Sequence, residues 1–316
     1  MERDVTTTRL RLGTRGSPLA LAQAHEARDR LVAAHGWDPD AIAIVVIRVT
    51  GDMIQDRALA EAGGKGLFTR ELDTALLGGT IDLAIHSAKD LPTVMPDGVA
   101  IAGYLPREDV RDVLIAPGAA SLADLPGGAR VGSASLRRQA QLRRVRPDLQ
   151  VGLLRGNVQT RLAKVERGEF DATLLALAGL KRLGLAHHAS AILDTDAFLP
   201  AVGQGAIAVA ARERDDRVAA AIAPLLDRET GLALACERAF LTLLDGSCRT
   251  PIAGYATLDR DRLDFRGLVL SPDGSEAVET FVSGPTSDAV RLGEEAGRAL
   301  LARAPAGVLA PFSPTG

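Results

Sequence analysis

The chain has 316 residues, 47% of them hydrophobic, and a formal net charge of −3. That length supports more than one core and suggests two or three domains. A near-neutral balance with 3% aromatic residues offers neither a cationic surface nor stacking platforms, so general nucleic-acid affinity is not expected.

The first residues, Met1-Glu2-Arg3-Asp4, are charged and lack the apolar core of a signal peptide. No uninterrupted apolar run approaches the roughly 20 residues that span a bilayer. Together with only two cysteines, this predicts a cytoplasmic chain in a reducing compartment, without a membrane. Residues 10–14 predict a strand, and Thr14-Arg15-Gly16-Ser17-Pro18 a helix start, with Ser17 as cap and Pro18 at the first helical position. The helix is expected to reach about His35. The Ile- and Val-rich run 41–49 reads as a strand buried on both faces of a parallel sheet. Residues 50–66 read as a long polar loop ending Gly63-Gly64-Lys65-Gly66. Its lysine misses the phosphate-loop pattern because Gly66 follows it, so the segment reads as a flap whose Lys65 can meet an anion. A helix over 67–77 and a strand over 81–86 follow, then Ser87-Ala88-Lys89-Asp90-Leu91-Pro92 at that strand's carboxyl end.

The alternation restarts after Pro106. Strands are predicted at 113–116, 130–132, 149–154 and 171–175, with helices over 135–145, 158–167 and 178–183. Strand–helix alternation implies parallel sheets covered by helices. Ala201-Val202-Gly203-Gln204-Gly205 leads to another strand, 206–210, which is expected to return to the first domain as part of a two-stranded hinge; one large sheet is the alternative. His187-His188 are adjacent and point apart, and none of the five histidines has metal-ligand spacing.

The last part differs in kind. A helix over 225–244 precedes strands at 252–256, 263–270 and 277–282, with a turn at Ser271-Pro272-Asp273-Gly274 and a closing helix over 287–303. Ala233, Cys236, Phe240 and Leu243 recur at helical spacing, so Cys236 reads as a buried small hydrophobe. Cys248 lies beyond that helix, between Gly246 and Pro251 and beside Arg249, where a thiol is accessible and a cation favours the thiolate.

Arg15, Arg137, Arg138 and Arg155 all fall where a strand ends and a helix begins, the place where open α/β sheets bind ligands. Helix N-termini and guanidinium forks suit carboxylates or phosphates. One such arginine is usually a solvated charge; the repeated set points to a ligand with several anionic groups. Asp90 either pairs with Lys89 or an arginine, or stabilises a cation developing on a substrate or passes a proton.

The motifs occur in an order that resembles one family. Thr14-Arg15-Gly16-Ser17-Pro18-Leu19-Ala20, Gly63-Gly64-Lys65-Gly66-Leu67-Phe68, His86-Ser87-Ala88-Lys89-Asp90-Leu91-Pro92, Gly132-Ser133-Ala134-Ser135-Leu136-Arg137-Arg138-Gln139, Leu154-Arg155-Gly156-Asn157-Val158, Leu199-Pro200-Ala201-Val202-Gly203-Gln204-Gly205 and Gly246-Ser247-Cys248-Arg249-Thr250-Pro251 are similar to the signatures of the porphobilinogen deaminases, or hydroxymethylbilane synthases. The resemblance implies two doubly wound α/β domains of periplasmic-binding-protein-like type joined by a hinge, plus a small C-terminal α+β domain. Their expected bounds are 1–105 with 204–224, 106–203 and 225–316. It implies a transferase of porphyrin and heme biosynthesis that condenses four porphobilinogen molecules head to tail. Each loses ammonia on a covalently attached dipyrromethane primer, and water then releases the linear tetrapyrrole hydroxymethylbilane.

By the same resemblance Cys248 carries the dipyrromethane cofactor as a thioether and Asp90 is catalytic. Ser87, Lys89, Ser133, Ser135, Arg137, Arg138 and Arg161 would hold the cofactor's acid groups. Arg15, Ser17, Lys65, Phe68, Arg155, Arg182 and Gln204 would bind porphobilinogen or the growing oligopyrrole chain. A monomer without a metal is expected. Ala22 and Ala134 depart from the family pattern, where a tryptophan and a serine are common. Two rival readings remain at this level: a two-domain small-anion binding protein, and a thiol hydrolase using Cys248 with His86.

Overall fold

The computed structural model describes residues 8–53, 66, 68–244, 251–305 and 308. In chain order its elements are β1 (Leu10–Arg15), α1 (Pro18–His35), β2 (Ile42–Ile47), α2 (Thr50–Met53), α3 (Arg70–Leu77), β3 (Leu83–Ser87), β4 (Val99–Tyr104), β5 (Asp112–Ile115), β6 (Arg130–Gly132), α4 (Leu136–Val145), β7 (Gln150–Gly152), α5 (Val158–Glu166), β8 (Ala172–Ala176), α6 (Leu177–Arg182), β9 (Ala191–Ile192), β10 (Ile207–Arg212), α7 (Asp216–Ile222), α8 (Arg228–Leu243), β11 (Ile252–Asp259), β12 (Arg262–Leu270), β13 (Ala277–Pro285) and α9 (Ala289–Leu301). They fall in two compact units, Met1–Ile54 with Lys65–Arg107 and Ala206–Gly231, and Gln55–Gly64 with Glu108–Gly205 and Leu232–Gly316.

The first unit is built on a five-stranded sheet of order β2-β1-β3-β10-β4. Alternate residues of its strands face opposite layers. Leu10, Leu12, Leu83, Ile85, Ile207 and Val209 pack with Ala27 and Leu31 of α1. Ala84 and Ala210 pack on the other side with Leu72 and Leu76 of α3. Helix α1 begins where local chemistry dictates. Ser17 is extended, its Oγ accepts from the Ala20 N–H, and Pro18 needs no donor of its own.

In the second unit another five-stranded sheet has order β7-β6-β8-β5-β9, and a three-stranded antiparallel sheet has order β11-β12-β13. Phe240 of α8 and Phe265 of β12, both fully buried, meet with ring centroids 4.9 Å apart. The β12–β13 turn seats on α4. Arg143 donates from Nη1 to the Pro272 carbonyl at 2.7 Å. Gly274, at φ +76°, lies so close that a Cβ there would sit 2.4 Å from the Ala140 carbonyl oxygen. Glu237, fully buried on α8, accepts from the Gly203 N–H at 2.8 Å and from the Ala256 N–H at 2.9 Å.

The sheets differ from the all-parallel expectation. β1, β2 and β3 run parallel, as do β6, β7 and β8, but β10 and β5 are antiparallel to both of their neighbours. β2, β3, β7 and β8 are reached through α1, α3, α4 and α5, crossovers that permit parallel pairing. β5 and β10 are entered from the other unit's residues, so no crossover helix sets their direction. Strand β4 and helix α7 were not anticipated, and Thr50–Met53 is helical where a loop was expected.

Candidate functional site

In the first unit, Arg15 ends β1 and the 3-10 turn Ala88–Asp90 follows β3, so both lie at carboxyl ends of adjacent parallel strands. Arg15 Nη1 is 3.7 Å from Asp90 Oδ2. The guanidinium also lies over Phe68, 4.3 Å from the ring centroid, a cation–π contact. The Asp90 side chain is 37% exposed, open enough to meet a small molecule. Lys89 is exposed beside it. Ser87 and Ser17 are engaged within the protein: Gln23 Nε2 donates to Ser87 Oγ at 2.9 Å, and Ser17 caps α1. His86 is buried and its Nε2 has no hydrogen-bond partner among the described residues. Burial, and then the charge of Arg15, push its pKa down to about 4, so the ring is neutral at pH 7.

The second unit repeats the strand-end arrangement. β6 ends at Gly132, and buried Ser133 follows, its Oγ accepting from the Ser135 N–H at 3.2 Å. Ser135 caps α4 by accepting from the Arg138 N–H. Arg137 and Arg138, in the first turn of α4, are each only 5% exposed and converge on Asp112 at the start of β5. Arg138 donates from Nε and Nη2 to Asp112 Oδ1 at 3.1 and 2.7 Å, and from Nη1 to the Leu174 carbonyl at 3.0 Å. Arg137 Nη1 lies 2.7 Å from Asp112 Oδ2 as an ion pair and donates to the Leu199 carbonyl at 2.8 Å. Gln204 Nε2 donates to Asp112 Oδ1 at 2.9 Å and to the Val110 carbonyl at 2.7 Å. Burial alone would raise the Asp112 pKa; the two arginines override it and hold the carboxyl well below the usual carboxylate range.

Arg161 donates from Nε to the Gly156 carbonyl at 2.9 Å and closes the turn before α5, which Asn157 caps. Gly156 has φ +116°, and a Cβ there would meet Thr160 at 2.6 Å, so the turn needs glycine. Arg182 ends α6 and donates to the Gly205 carbonyl at 3.1 Å. Arg155 is half-buried beside that turn. Lys65 and Cys248 lie outside the described residues. Cys236 is fully buried in α8, and burial with Glu237 nearby pushes its thiol up to about 12, which leaves it inert at neutral pH.

A family model for the porphobilinogen deaminase dipyromethane cofactor binding domain matches residues 10–220, and one for the porphobilinogen deaminase C-terminal domain matches residues 232–302. The chain belongs to the porphobilinogen deaminase family. The porphobilinogen deaminase of Nitrobacter winogradskyi is 60% identical over 303 residues, covering 96% of this chain and 95% of its own. That of Nitrobacter hamburgensis is 58% identical over the same shares. Among solved structures, a periplasmic substrate-binding protein from Coxiella burnetii aligns over 72% of this chain and 96% of its own at 16% identity, with a TM-score of 0.43.

For a porphobilinogen deaminase the donors of the second unit suit the carboxylates of a dipyrromethane group. Two buried guanidinium groups share one carboxylate, and the buried Arg137 Nε has no hydrogen-bond partner among the described residues. A further anion would answer both. Asp112 and Gln23 were missed in the sequence. Asp112 had one signal, an ionisable residue heading an apolar strand, Val113-Leu114-Ile115-Ala116.

Proposed function

We propose that this member of the porphobilinogen deaminase family is a hydroxymethylbilane synthase working through Asp90 and the arginines at the strand ends. The observation that carries the reading is the half-open Asp90 carboxylate 3.7 Å from Arg15, at the end of β3 in the cofactor-binding family domain. When bound as a thioether to Cys248, the dipyrromethane group supplies the primer pyrrole. The chain's own residues do the rest. Arg15, Arg155 and Arg182, with Lys65, Phe68, Ser17 and Gln204, receive the carboxylates and ring of porphobilinogen. Ser87, Lys89, Ser133, Ser135, Arg137, Arg138 and Arg161 hold the cofactor's acid groups. Asp90 delivers a proton to the leaving amine. As the carbon–nitrogen bond breaks, its electron pair departs with ammonia, and the ionised carboxylate faces the cation left on the substrate's methylene carbon. It then takes the proton released as the new carbon–carbon bond forms.

We further propose three domains, bounded as the sequence implies, and a monomeric cytoplasmic enzyme without nucleic-acid or membrane partners. The nearly balanced charge supports this. Among the described residues no helix is long and apolar enough to cross a membrane. Intact-mass measurement tests the central reading. The purified chain should carry a dipyrrole that Cys248→Ser lacks. A bare-sequence mass that persists after incubation with porphobilinogen, without bilane formation, would overturn it.

A further inference from the structure

Arg137 and Arg138 occupy an unfavourable place. Both lie in the first turn of α4, where the helix dipole opposes cations, and they are neighbours almost withdrawn from water. Left to themselves such side chains would turn outward to solvent. They are instead drawn inward by a carboxylate from a different element. Asp112 is fully buried, and each of its oxygens meets a different guanidinium, Oδ1 with Arg138 and Oδ2 with Arg137. Two cations and one anion leave one positive charge in the cluster. Backbone carbonyls complete the fixation, Leu174 for Arg138 and Leu199 for Arg137. Gln204 adds a neutral donor to Asp112 Oδ1 and so ties residues 200–205 to the same carboxylate.

We propose that Asp112 is the positioning residue of the cofactor-binding turn: it aims both guanidinium groups and cancels one of their two charges, so that the turn is set to take one carboxylate of the incoming oligopyrrole. The inference rests on the functional reading above and assigns Asp112 no contact with substrate. Its effect is on cofactor capture, which separates it from Asp90.

The test follows dipyrrole loading of cofactor-free protein incubated with porphobilinogen, by intact mass, beside bilane formation per loaded molecule. Asp112→Asn keeps the shape and removes the charge. Its folded fraction, isolated by gel filtration and matched to wild type by far-UV circular dichroism, should load at least ten-fold more slowly. Once loaded, it should lose less in turnover than in loading, because Asp90 is untouched. Should Asp112→Asn not fold, Asp112→Glu decides: it retains the charge but displaces it by one methylene, and loading should still slow several-fold. Wild-type loading in whichever folded variant is obtained would overturn the inference, as would a turnover defect as large as the loading defect. If wild type itself fails to load, the functional reading fails instead.

Discussion

Asp90→Asn should separate chemistry from stability. Its partner charge Arg15 lies at 3.7 Å, beyond hydrogen-bond length, with the Asp90 and Arg15 side chains 37% and 19% exposed. Two unit charges at about 4 Å interact by about 1 kcal/mol in water, and exposed ion pairs measure roughly 0–1 kcal/mol. The variant should therefore lose at most about 1 kcal/mol, a Tm change within about 4 °C. The same carboxylate is assigned both proton transfer and the stabilisation of a developing cation. Those roles are each worth roughly 100-fold or more in rate, so kcat should fall by at least that factor. Ammonia release from porphobilinogen, with calorimetry on the same sample, measures both. A variant retaining kcat within ten-fold of wild type would refute the assignment. So would a loss of activity that merely tracks a Tm drop of many degrees.

His86 makes stability depend on pH in a definite window. Its ring ionises near pH 4 in the folded chain and near 6.5 in the unfolded one, so between those values the unfolded state binds more protons. Unfolding free energy should fall by about 3 kcal/mol as pH drops from 6.5 to 4, and His86→Gln should flatten that decline in urea titrations. Gly274→Ala forces a left-handed alanine against the Ala140 carbonyl and the Arg144 N–H of α4. It should lose roughly 2–5 kcal/mol in chemical denaturation, and an unchanged midpoint would mean that the turn can lift off the helix freely.

Features governed by neighbouring residues were readable in the sequence. Ser17 and Pro18 start α1, Ser135 caps α4, and the turn around Pro272 joins β12 to β13 because capping and turn chemistry act over a few residues. Strand direction acts at longer range, and the antiparallel course of β5 and β10 left no local mark. Helix α7 escaped because Arg212-Glu213-Arg214-Asp215-Asp216-Arg217 masks its short apolar face of Val218 and Ile222. In the candidate site, the arginines were legible as charges at strand–helix junctions, where position alone is suggestive. That Arg137 and Arg138 turn toward Asp112 was not, since their partner lies 25 and 26 positions earlier on another element. Ser17 and Ser87 illustrate the reverse: a hydroxyl in the right motif is also a helix cap or the partner of a glutamine.

Glu237 holds Gly203 and Ala256 by their main-chain N–H groups. Such a fastening is indifferent to which side chain occupies position 256, provided it fits, whereas position 203, at φ +73°, favours glycine whatever holds it. The first strand of the terminal sheet can therefore drift in sequence at that point without losing its anchor. Only the anchor itself is held to one chemistry: a glutamine offers a single acceptor oxygen where two N–H groups must be met.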